Sequence, residues 1–292
     1  MRSHSFFYTP IIGGRTAIVF LLLVFAILVL FVRLAGGQGT PPVFELRFIG
    51  AGSPSGINNQ RTVIGSRQLA GNYEPLVSLD GAPWTALPVP PGSMSTFPTD
   101  INDLGVIVGV SFSPQWNPVS VRWTRGTSGY ALEVLPIIAG DTSSYATAIN
   151  DLGQIVGARS SLGYQPTGTG WVYTDEGGFR RLTDFGFWVA PRDINSSGLV
   201  IGGQERLNLA TGQVEVTGQG PSNYNAVTSV AINSSGMMAG SAWLRSSSLN
   251  IVSVFRYVNG VWTYIYGTTR YATAYDINNL GDIGYRAGTR DS

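Results

Sequence analysis

The chain has 292 residues, a formal net charge of +1, only 12% charged residues, no cysteine and a single histidine, His4. These absences exclude a disulfide framework, a thiolate metal site and a thiol nucleophile, and beyond residue 4 they exclude a Ser-His-Asp triad or His-ligated zinc. Catalysis by the remainder would have to rely on carboxylates, Tyr or Arg.

Residues 1–36 read as a cytoplasmic tail and a hydrophobic helix. Ala17 to Val32 is an unbroken apolar run, preceded by Arg2 and Arg15 and closed by Arg33. With Leu34 and Ala35 it approaches the roughly 20 residues needed to span a bilayer, which predicts a signal anchor with its N-terminus inside. A cleaved signal peptide is the alternative, with Ala35-Gly36-Gly37 offering small residues before Gln38. Either reading exports the rest of the chain to the cell envelope or beyond. The exported part holds 15 Arg and 17 acids, a net −2. It carries no basic stripe for phosphates, so nucleic acid is not an expected partner.

After a linker at 37–43, residues 44–292 read as one repeat domain. Ile-Asn recurs at Ile57, Ile101, Ile149, Ile194, Ile232 and Ile277, spaced 44, 48, 45, 38 and 45 residues apart. Four copies extend to Ile-Asn-x-x-Gly-x-x-x-Gly, ending at Gly109, Gly157, Gly202 and Gly240. Around each copy a short strand, an Asn/Asp/Gly turn and a second strand are predicted. A variable loop, a third strand, a Gly-containing hairpin and a fourth strand come next. The third and fourth strands are clearest at Val121-Arg122-Trp123 with Leu132 to Leu135, and at Val254 to Tyr257 with Trp262 to Ile265. Four antiparallel strands per repeat of about 45 residues predict an all-β propeller of about six four-stranded blades. An open β-solenoid is the alternative. The last blade is short of strands. The segment from Phe44 to Gly50 reads as a strand without a blade, so it is expected to complete the last one and close the ring; a truncated, open seam is the competing reading.

The Ile-Asn-x-x-Gly-x-x-x-Gly phrase, with an aromatic strand and a Leu-containing strand after it, resembles the HAF-repeat family over roughly residues 44–288. That resemblance implies an exported bacterial or archaeal protein with a propeller-like fold, and it brings no catalytic residues. The His-Ala-Phe triplet of the family is absent; Val121-Arg122-Trp123, Gly170-Trp171-Val172 and Val254-Phe255-Arg256 stand in its place. In the first copy Arg61 occupies a glycine position.

Asp100-Ile101-Asn102-Asp103-Leu104-Gly105 superficially matches a calcium loop. Leu104 stands where an oxygen ligand belongs, no Glu occupies position twelve, and the leading Asp is Ala148 and Ala231 in other copies. The phrase therefore reads as a hairpin turn, with no metal and no cofactor expected. The acids Asp141, Asp184, Glu205 and Asp276 lie in different repeats. A carboxylate-dependent glycoside hydrolase or lyase, which needs two converging acids, is thus an alternative to a binding module, and a purely structural surface repeat is a third. The loops between strands two and three and between blades emerge on one face. They carry Phe187 and the candidate binding residues Trp116, Tyr145, Tyr164, Trp188, Tyr224 and Tyr271, which would meet a glycan or a surface protein.

Overall fold

The computed structural model describes residues 5–10, 19–22, 44–159, 169–218, 226–245, 250–266 and 271–288. Its first three strands, β1 (Ser5–Pro10), β2 (Val19–Leu22) and β3 (Phe44–Arg47), form a small antiparallel sheet in the order β2-β1-β3. Of the expected N-terminal helix only 19–22 are described, and they are a strand; Val and Phe suit that conformation. Among the described residues no helix is long and apolar enough to cross a membrane. Strand β3 pairs with β1, Phe44 opposite Pro10, and not with the last blade. The expected closure by this strand is therefore not what is seen.

The repeats are six antiparallel sheets, each in simple meander order. Blade 1 is β4 (Ser53–Ile57), β5 (Val63–Leu69), β6 (Asn72–Ser78) and β7 (Thr85–Ala86). Blade 2 is β8 (Ser95–Ile101), β9 (Ile107–Phe112), β10 (Pro118–Gly126) and β11 (Gly129–Val134). Blade 3 is β12 (Tyr145–Ile149), β13 (Ile155–Ala158), β14 (Gly170–Thr174) and β15 (Gly178–Arg181), followed by a 3-10 turn at Leu182–Phe185. Blade 4 is β16 (Asp193–Ile194), β17 (Leu199–Gly202), β18 (Glu205–Asn208) and β19 (Gln213–Val216). Blade 5 is β20 (Ala226–Ile232), β21 (Met238–Arg245), β22 (Asn250–Val258) and β23 (Val261–Tyr266). Blade 6 has two described strands, β24 (Tyr271–Ile277) and β25 (Ile283–Gly288). The shortest repeat, at blade 4, keeps all four strands because Gly203 and Gln204 replace a long loop between β17 and β18.

The first strand of each blade packs on the blade before it: β8 on β4, β5 and β6, β12 on β8 to β10, β16 on β12 and β13, β20 on β16 and β17, and β24 on β20 to β22. The core accordingly lies between blades. Trp123 and Ile64 are buried between blades 1 and 2, Trp171 and Val108 between 2 and 3, Phe187 and Val200 between 3 and 4, and Phe255 and Ile201 between 4 and 5. Sheets stacked face to face sit about 10 Å apart, so in a straight stack blades 2 and 6 would be about 40 Å apart. Yet Asp100 of blade 2 and Asp276 of blade 6 lie within each other's field, as do Asp193 and both of them. The first strands therefore curve around a common axis, and the arrangement is propeller-like.

The Ile-Asn phrase is the joint of this arrangement. Asn58 Nδ2 donates to the Asn102 carbonyl, Asn102 to that of Asn150, Asn150 to Asn195, Asn195 to Asn233 and Asn233 to Asn278, all at 2.9–3.0 Å. Each Oδ1 accepts amide hydrogens of its own turn; Asn102 Oδ1 takes those of Leu104 and Val106. This is the turn reading made concrete: the oxygen that a calcium loop would aim at a cation is occupied by the backbone. Five of the six Asn are buried. Asn278 is half-buried and bonds Asp282 of its own turn instead. A second row runs alongside, in which Asp103 accepts from Asn59 and Asp151 accepts from the Asp103 amide and the Ser196 hydroxyl.

Candidate functional site: an aromatic cluster and an axial carboxylate trio

The loop face carries a chain of rings spanning blades 1 to 3. Tyr73 and Phe97 have centroids 4.7 Å apart, Phe97 and Phe112 6.0 Å, Phe112 and Trp116 5.9 Å, and Phe112 and Tyr145 6.5 Å. Phe112, at the end of β9, is buried and serves as the hub; Trp116 is 40% exposed above it. The loop 113–117 is a tight reversal. The Trp116 amide donates to the Ser113 carbonyl at 2.9 Å and the Ser113 amide to that of Asn117 at 3.2 Å. It holds Trp116 at φ +62. A bulky residue in the left-handed region is uncommon and is tolerated where surroundings over-determine it, which occurs most often at binding and switch sites.

The sequence-predicted residues fall out unequally. Trp116 and Tyr145 come together through Phe112, with Tyr145 on the first position of β12 and largely covered. Burial pushes its phenol up, opposed by the nearby Arg192 charge. Trp188 lies apart, 67% exposed, in the connection from blade 3 to blade 4, with its amide donating to Glu205 at 3.0 Å. Phe187, a loop aromatic beside it, is fully buried in the core between blades 3 and 4. Tyr271 opens β24, so it belongs to a strand rather than a loop. Tyr164 and Tyr224 lie outside the described residues. Tyr73 and Phe97 were not predicted. Their signal was position, since both sit at the loop-face ends of strands next to Phe112.

The axis holds a constellation that reading repeats one at a time does not reveal. The residue before Ile is Gly56, Asp100, Ala148, Asp193, Ala231 and Asp276 in blades 1 to 6. Acid and small residue alternate, so blades 2, 4 and 6 each send one carboxylate to the axis. Asp100 Oδ1 accepts from the Ile101 amide and Oδ2 from Ile149 in blade 3, both at 2.8 Å. Asp193 does the same with Ile194 and with Ile232 in blade 5, at 2.7 and 2.8 Å. Asp276 Oδ1 takes the Ile277 amide at 2.7 Å. A bulge just before the acid, as between Pro98 and Asp100 and between Ala274 and Asp276, turns the side chain to this position. Burial, with the field of Asp276 and Asp151, raises Asp100 to about 7 against two amides that favour its charge. Burial and the other two acids raise Asp193 well above the ordinary carboxylate range, and Asp276 also moves upward, chiefly through the protein crowded around it. Solvent still reaches the trio, most of all Asp276.

No protein-family profile matches the chain, and no curated protein matches it. A crystal structure of a protein from Lactobacillus plantarum aligns with 99% of this chain and 93% of its own, at 12% identity and a TM-score of 0.45.

Proposed function

We propose that this chain is an interaction module whose ligand meets the loop face at the aromatic cluster, with Trp116 as the anchor. The observation that carries this reading is a half-exposed tryptophan packed at a tilt against a buried aromatic hub and held in a strained backbone conformation. Aromatic faces of this kind present rigid apolar area at low entropic cost, which suits a sugar ring or an apolar side chain of a partner. Trp188 is a second, separate contact. A glycan or surface protein is the partner class, and an exported, membrane-tethered member of the HAF-repeat type is the setting that the N-terminal apolar run and the repeat phrase support. The rival hydrolase reading gains three convergent acids. Asp100 and Asp193, however, commit both oxygens to backbone amides, which suits a joint better than a proton-transfer pair.

The test is a glycan array and an envelope-protein pull-down with the whole chain beside Trp116→Ala and Trp188→Ala. Loss of a ligand on Trp116→Ala, with a smaller loss on Trp188→Ala, supports the reading. Profiles indistinguishable from the parent remove both residues from it.

A further inference from the structure

We propose that the carboxylates of Asp100, Asp193 and Asp276 act as a pH-dependent latch on the blade joints, tight in acid and loosened progressively as the pH rises toward neutral. The geometry gives each of the first two carboxylates amides from two blades. Asp100 ties blade 2 to blade 3 through Ile149, and Asp193 ties blade 4 to blade 5 through Ile232. All three point toward one axis from alternate blades, so ionising them together drives those blades apart. The charged groups acting on Asp100 are Asp276 and Asp151, and those acting on Asp193 are Asp100 and Asp276. Among the described residues no basic side chain is one of these influences; Arg192, next to Asp193 in the chain, acts instead on the Tyr145 phenol. Gly56, Ala148 and Ala231 at the intervening positions keep the charge at three rather than six.

The sign comes from linkage. In the unfolded chain these acids ionise near pH 4, as ordinary Asp does. Folding raises them, Asp100 to about 7. The stability they contribute is therefore whole below about pH 4 and is lost progressively as the pH climbs to the folded value. The loss should appear first at the two amides that cross between blades.

Amide hydrogen exchange on the full chain, corrected for intrinsic base catalysis, tests this between pH 5 and 8. Protection at Ile149 and Ile232 should fall by about tenfold or more, while Ile107, inside blade 2, changes less. Asp276→Asn removes one charge from a third blade and keeps an oxygen for Ile277. It should shrink the fall at Ile149 and Ile232, residues it does not touch. A flat parent profile, or an Asp276→Asn profile identical to the parent's, overturns the proposal. So does an Asp100 carboxyl carbon that titrates in the ordinary range in the parent protein, a measurement independent of how any variant folds.

Discussion

A buried Asn carboxamide has two donors and one strong acceptor, and the Ile-Asn phrase uses both sides. Asn150 donates to the Asn195 carbonyl and accepts from Leu152 and Gln154. Removing it strands an acceptor and two amides at a buried site. Each costs about 1–3 kcal/mol when unsatisfied, so Asn150→Ala should lower stability by roughly 3 kcal/mol or more in urea unfolding. Asn278→Ala should cost about 1 kcal/mol, because that side chain is half-exposed and bonds only its own turn. Arg61 is the converse case. It sits at φ +61 where Gly105, Gly153, Gly198, Gly236 and Gly281 occupy the same turn position with φ between +73 and +86. Relief of left-handed strain is worth about 1–2 kcal/mol, partly offset by glycine's freedom in the unfolded chain. The exposed Arg61–Asp80 ion pair, 2.7 Å, contributes little. Arg61→Gly should stabilise by roughly 0.5 kcal/mol; a loss of similar size would show that the ion pair matters more than the strain.

At the scale of the element, the two glycines of the phrase answer different needs. The first supplies positive φ and has open space around it, as at Gly105 and Gly153. The second has ordinary φ but no room. A Cβ at Gly157 would run into the Tyr145 carbonyl and the Trp171 ring; at Gly240 it would meet the Thr228 carbonyl and Phe255, and at Gly109 the Phe97 carbonyl and Trp123. In blades 2, 3 and 5 a first-strand bulge lies beside this glycine, and the aromatic of the third strand packs against it. Gly157→Ala should therefore cost about 3 kcal/mol or more, because backbone must move. Gly153→Ala should cost about 1 kcal/mol, the strain of a left-handed alanine alone. Paired denaturation curves check the ordering, and equal losses would refute this division of labour. Hairpins were legible for the same reason: Asp80-Gly81 and Asn259-Gly260 both have two positive φ values, as a two-residue primed turn requires.

At the scale of the whole molecule, repeat length and turn chemistry made the blades and their strand order readable. What was not readable is set by neighbours across the repeat. Alternation of Asp with Gly or Ala before Ile resembles decay of a motif until the axis brings blades 2, 4 and 6 together. Phe187 and Trp188 are adjacent aromatics in one connection, and only packing decides that the first enters the core. Asn278 resembles the other five Asn in sequence but bonds within its own turn, since no following blade is seen to receive it among the described residues. The central claim is that these repeats curve around an axis and are not stacked in a line. Having no cysteine, the chain accepts clean spin labels at Leu104→Cys and Leu280→Cys, on exposed turns of blades 2 and 6. Pulsed electron–electron resonance should give a separation below roughly 30 Å; a distance of about 40 Å or more, the span of four sheet-to-sheet steps, would contradict the account.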